Sequence, residues 1–72
     1  KEKGTSHMYL ETHLLPTKKD EWIINLHLAD HTKIEAKLVK GYSEAVTATK
    51  LWSAELGGCE YTVGGMTSLD LD

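Results

Sequence analysis

The chain contains no arginine, and only one cysteine and one proline. Each scarcity excludes something. Arginine supplies the bidentate contacts that dominate recognition of bases and phosphates. An Arg-free chain of net charge −3 is therefore a poor nucleic-acid binder. A single cysteine, Cys59, cannot form an intrachain disulfide. With only four scattered histidines it does not make a structural zinc site either. A lone thiol fits a reducing compartment, and cytoplasmic placement is expected. No apolar run approaches the ~20 residues that a membrane helix requires. The N-terminus is charged and has no apolar segment of the kind found in a signal peptide.

Seventy-two residues allow one small domain, which buries a modest fraction of its surface and is marginally stable alone. Residues 1–7 are polar, and GTSHM reads as a vector-derived remnant. They are expected to form a disordered arm, with a single domain over 8–72.

What is present is alternation. Residues 22–40 read WIINLHLADHTKIEAKLVK, two alternating runs around a polar break, which is the pattern of a β-hairpin. Trp22, Ile24, Leu26 and Leu28 share one face, and Ile34, Ala36 and Leu38 are the apolar set of the second run. Keeping both sets on one side pairs Leu28 with Ile34, Leu26 with Ala36 and Ile24 with Leu38, around a loop Asp30-His31-Thr32. That loop lacks the usual glycine, so Asp30 or His31 must accept left-handed geometry. Residues 8–15 alternate as a preceding strand with Leu14 near Trp22 and Leu10 near Leu26, and Pro16 ends it.

After Gly41-Tyr42, Ser43 is a natural N-cap for a helix over 44–56, and Gly57-Gly58 stops it. Ala45, Ala48, Thr49, Trp52 and Leu56 form its buried stripe, with Trp52 expected over Ile24, Leu26 and Ala36. Val46, Leu51 and Glu55 fall off the stripe. Residues 59–63 and 66–71 alternate weakly around a Gly64-Gly65 turn. The fold class is α+β, a small, mainly antiparallel sheet in the order βββαβ, with a fifth strand if 66–71 pairs back. One helix packs on one face, and the fourth strand has the sense required to lie parallel to the first.

Chemistry-bearing constellations are thin. The open face is expected to carry three rows: Tyr9, His27 and Glu35; Glu11, Asn25 and Lys37; and His13, Ile23 and Val39. A histidine near a carboxylate can serve as a general base, but cross-strand pairs of this kind are ordinary. Rows lie ~7 Å apart along a strand, whereas zinc ligands gather within about 4 Å of one another, so His13 and His27 do not share an ion. The glycine pairs match no phosphate-binding motif, and Cys59 follows a helix end, where no dipole activates it.

The expectation is a non-enzymatic protein-binding module without cofactor or metal. It would act through a sheet edge, a helix surface or a homodimer. The candidate contact residues are Leu51, Val46, Glu55, Leu69, Leu71, Ile23 and Val39. The edge of the last strand is the expected docking edge, where Glu60, Asp70 and Asp72 would favour a basic partner. Phage-type inhibitors of larger proteins are binders of this kind. The partner is another protein or a second copy of the chain, with no membrane or small-molecule substrate. The alternatives are weak nucleic-acid contact through the lysines of the open face, and a small enzyme or metal site around His27 and Glu35.

Overall fold

The computed structural model describes residues 8–16 and 19–67. Five strands and one helix follow in the order β1 (Tyr9–Leu14), β2 (Glu21–His27), β3 (Lys33–Lys40), α1 (Tyr42–Glu55), β4 (Glu60–Val63) and β5 (Met66–Thr67). They make a mixed sheet of spatial order β3-β2-β1-β4-β5 with the helix on one face. The expected α+β class is therefore the observed one. The first three strands form an antiparallel meander. β4 lies parallel to β1 with Leu10 beside Tyr61 and Thr12 beside Val63. The expected neighbours of β1 are found: Leu14 pairs with Trp22 and Leu10 with Leu26.

The core lies between the helix and the three inner strands. Leu10, Trp22, Ile24, Leu26, Tyr61 and Val63 meet Ala45 and Trp52 of the helix. Alternation in the strands, with period two, meets the 3.6-residue period of the helix on that one face. Two threonines sit at its centre with no exposure, Thr12 on β1 and Thr49 on α1. The Thr49 hydroxyl donates to the Ala45 carbonyl at 2.7 Å and stands 2.7 Å from the Thr12 hydroxyl. With the Thr49 proton committed to Ala45, Thr12 donates to Thr49. The burial of both hydroxyls is thereby satisfied.

The helix begins earlier than expected. Gly41, at φ 89°, occupies the N-cap position, and no side chain caps the end, so Ser43 lies inside the first turn. The positive φ suits glycine and redirects the chain from β3 into the helix. At the other end Gly57 N–H bonds Ala54 C=O and Gly58 N–H bonds Ser53 C=O, the pair of bonds that closes a Schellman stop. The buried stripe is Ala45, Thr49, Trp52 and Ser53, with Ala48 and Leu56 partly buried. Val46, expected off the stripe, packs against the core instead. Cys59 is also partly buried against the core.

Thr49→Val strands the buried Thr12 hydroxyl and is expected to cost about 1–3 kcal/mol. Thr12→Val combined with Thr49→Val removes both hydroxyls and should cost less than Thr49→Val alone. Urea unfolding of the three proteins checks the order.

Candidate interaction surface

The hairpin departs from expectation in a way that rebuilds one whole strand. Leu28 N–H bonds Thr32 C=O at 2.9 Å and His31 N–H bonds Leu28 C=O at 2.8 Å, so the loop is Ala29-Asp30-His31. It slides one residue from Asp30-His31-Thr32. His31 takes the left-handed position at φ 74°, and Asp30 Oδ1 accepts Thr32 N–H at 3.0 Å. Hydrogen bonds from Thr32 hold the Asp30 carboxyl below its ordinary pKa.

Next to the loop His27 pairs with Lys33, but Leu26 pairs with Glu35, leaving Ile34 as an extra residue. This bulge changes the parity of everything after it. Ile24 lies opposite Lys37, not Leu38, and Asn25 lies opposite Ala36. The pairs Leu28–Ile34, Leu26–Ala36 and Ile24–Leu38 expected from alternation are not formed.

Ala36 and Leu38 consequently join the open face, while Glu35, Lys37 and Val39 turn toward the helix side. The open-face rows become Tyr9, His27 and Lys33, then Glu11, Asn25 and Ala36, then His13, Ile23 and Leu38. Trp52 is met by the Lys37 ammonium, 4.1 Å from the ring centroid, rather than by Ala36. That contact gives the lysine a favourable place on the helix side of the sheet.

β3 is the outermost strand on its side, and among the described residues nothing pairs with its outer edge. Seven of its eight residues are exposed, including Ile34 at 50% and Leu38 at 64%. The direction of its backbone follows from one bond. Gly41 N–H donates to Asp20 C=O at 2.7 Å. Hydrogen-bonded pairs alternate along an antiparallel ladder, so Val39, Lys37 and Glu35 direct their peptide groups to β2. Ala36 and Leu38 direct theirs outward.

The other candidate residues are distributed as follows. Ile23 is half-buried on the open face opposite Leu38. Val39 is half-buried opposite Trp22 on the helix side, so it does not belong to the open face. Leu51 and Glu55 are exposed on the outer side of the helix, and Val46 is turned to the core. Leu69, Leu71, Asp70 and Asp72 lie outside the described residues. β5 spans only Met66–Thr67, so the expected docking edge on the last strand is represented by two exposed residues. Alternation alone gave no sign of Ile34, Ala36 and Leu38 as surface residues, because it assigned them to the core.

A polar cluster occupies the loop end of the open face. Tyr9 stacks on His27 at 4.9 Å between ring centroids, and its hydroxyl stands 2.6 Å from His31 Nδ1. Glu35 is not part of this group; Glu11 takes the place expected for it. Glu11 Oε1 lies 3.1 Å from His27 Nε2 and 3.8 Å from His13 Nε2. The closer contact does not meet hydrogen-bond geometry, and His27 Nε2 has no aligned partner. It is a charge contact when the ring is protonated. Desolvation, then the carboxylates of Glu11 and Asp30, raise the Tyr9 pKa. Among the described residues no three His, Cys, Asp or Glu side chains gather as a metal site.

No family model, curated protein or solved structure matches the chain.

The register makes opposite forecasts for neighbouring residues. In dilute protein Leu38→Ser should change unfolding free energy by under about 0.5 kcal/mol, as surface substitutions do. Val39→Ser, against Trp22 and the core, should cost about 1 kcal/mol or more, as loss of buried apolar groups does. The reverse order in denaturant melts would restore the register expected from alternation.

Proposed function

We propose that this chain is a non-enzymatic protein-binding module that accepts a partner strand along the outer edge of β3. The observation that carries the reading is that edge itself. It is eight residues long, with outward peptide groups at Ala36 and Leu38 and half-exposed apolar side chains at Ile34 and Leu38. Such an edge supplies main-chain hydrogen bonds for affinity and side-chain positions for specificity. Ile23 extends the apolar surface inward from Leu38 across the sheet.

Two features restrict what can dock. The bulge at Ile34 shapes one end of the edge, and Lys37 places a charge on its helix side; both are devices that discourage indiscriminate strand pairing. A partner strand is favoured when it offers a carboxylate opposite Lys37 and a basic group opposite Glu35. Binding a larger protein in this way would suit an inhibitor. The free thiol of Cys59 fits action in the cytoplasm. The helix surface at Leu51 is the competing site within the same class of function.

Extended peptides selected from a display library against the immobilised domain would test the reading. Proline is tolerated where the N–H points off a sheet edge, so Ala36→Pro should leave the fold intact. It should weaken selected peptides by roughly tenfold or more, through one lost hydrogen bond and a ring that obstructs the partner. Leu51→Glu should leave their binding unchanged. Peptides insensitive to Ala36→Pro and lost on Leu51→Glu would move the site to the helix.

A further inference from the structure

Resting on the edge reading above, we infer that the partner strand β3 is built to accept is β3 of a second copy, antiparallel and centred on Ala36. A two-fold axis perpendicular to the sheet would run midway between the two copies of that residue. The two sheets would join into one of ten strands, with both helices on the same side.

Charge and register select this pairing. Residues facing each other across an antiparallel pair lie on the same face of the sheet. A symmetric pairing therefore centres on a residue, and four centres, Glu35 to Leu38, keep the strand Lys33–Lys40 substantially overlapped; a Leu38 centre sets Lys37 against Val39 and Ala36 against Lys40, and matches no charges. Centring on Glu35 sets the two Glu35 carboxylates against each other and Lys33 against Lys37. A Lys37 centre opposes the two Lys37 ammonium groups and sets Glu35 against Val39. With Ala36 at the centre, Glu35 faces Lys37 of the other copy, and Lys37 faces Glu35. Leu38 lies on the face of Ala36, and in the same register it comes level with the bulged Ile34 of the other copy. Only this centre matches opposite charges on the helix side. Ala36 meets its own copy at the axis, where a small side chain leaves room for the strands to close.

The backbone agrees with the side chains. The Gly41-to-Asp20 bond sets the alternation that leaves the peptide groups of Ala36 and Leu38 facing outward. An Ala36 centre makes Ala36 a hydrogen-bonded pair with its copy. Glu35 and Lys37 are both exposed, so the described residues leave their side chains accessible to a partner strand. Ile34 and Leu38, 50% and 64% exposed in the single chain, would each gain an apolar neighbour. A short edge contact of this kind is a weak interface.

Sedimentation of the full chain over a concentration series up to about 1 mM, the range of weak association, tests the inference. The unmodified chain should pass from monomer to dimer. Glu35→Lys and Lys37→Glu should each weaken the dimer by roughly tenfold, because each places like charges across both symmetric pairs. Mixed one to one, the two variants should form a heterodimer in which every pair is again opposite in charge. Lys37→Glu also loses the contact with Trp52, so its melting is followed alongside. In the unmodified chain, exchange of the Ala36 and Leu38 amides should slow as concentration rises.

A chain that remains monomeric throughout overturns the inference. So does a dimer indifferent to both charge variants and to Ala36→Pro. The edge reading is judged separately. Selected peptides that bind a strictly monomeric chain and are lost on Ala36→Pro keep the edge as a docking site without self-pairing. Peptide binding that survives Ala36→Pro removes the edge reading as well.

Discussion

Ile34 has no partner of its own on β2, and the character of the outer strand follows from that one extra residue. A strand shows its faces in strict alternation, so a single inserted residue exchanges them for the remainder of its length. Without the bulge, the loop register would place Ile34, Ala36 and Leu38 beside Leu26, Ile24 and Trp22, under the helix. With it, Ala36 and Leu38 face away from the core, Ile34 stands half-exposed in the bulge, and Glu35, Lys37 and Val39 take the inner side. The left-handed His31 and the bond from Thr32 N–H to Asp30 fix the loop.

The rest of the domain tolerates this because its core does not need β3. The helix is anchored on β1, β2 and β4 by Leu10, Trp22, Ile24, Leu26, Tyr61 and Val63, with Trp52 and Ala45 opposite. Thr12 and Thr49 fix the centre of that contact with a hydrogen-bonded pair whose geometry specifies how helix and sheet align. Lys37 covers Trp52 with a cation, and Val39 alone contributes a packed apolar side chain from β3. The outer strand is thus held mainly by its ladder to β2, and its own apolar groups remain available.

Much of this was legible in the residues. Alternation through Leu10 and through Trp22, Ile24 and Leu26 located the first two strands and their correct pairing, because those residues do face the core. The glycines at 57–58 and 64–65 marked a helix stop and a turn that the backbone makes with positive φ. Strand β4 lies parallel to β1, a placement that the sequence order allowed but did not fix. The register of β3 was not legible, because Ile34, Ala36 and Leu38 have the spacing of a core face and a bulge leaves no mark in alternation. The missing glycine in the loop was a sign of irregular geometry, but it pointed to Asp30 or His31, of which His31 takes the left-handed position, and not to Ile34. The candidate surface was correspondingly displaced: Ile23 and Leu51 were placed correctly, Val39 was assigned to the wrong face, and Ala36 and Leu38 were taken for core.

The central claim is that β3 presents Ala36 and Leu38 at a free edge, and it depends on the pairing of two strands. In the ladder described, Ile23 with Leu38 and Asn25 with Ala36 are the pairs that do not exchange hydrogen bonds, so their α-protons lie close together. Cross-strand α-proton contacts in a nuclear Overhauser spectrum of dilute protein read this directly. The account predicts contacts from Ile23 to Leu38 and from Asn25 to Ala36. Contacts from Ile23 to Val39 and from Asn25 to Lys37 in their place would return Ala36 and Leu38 to the core side and contradict it.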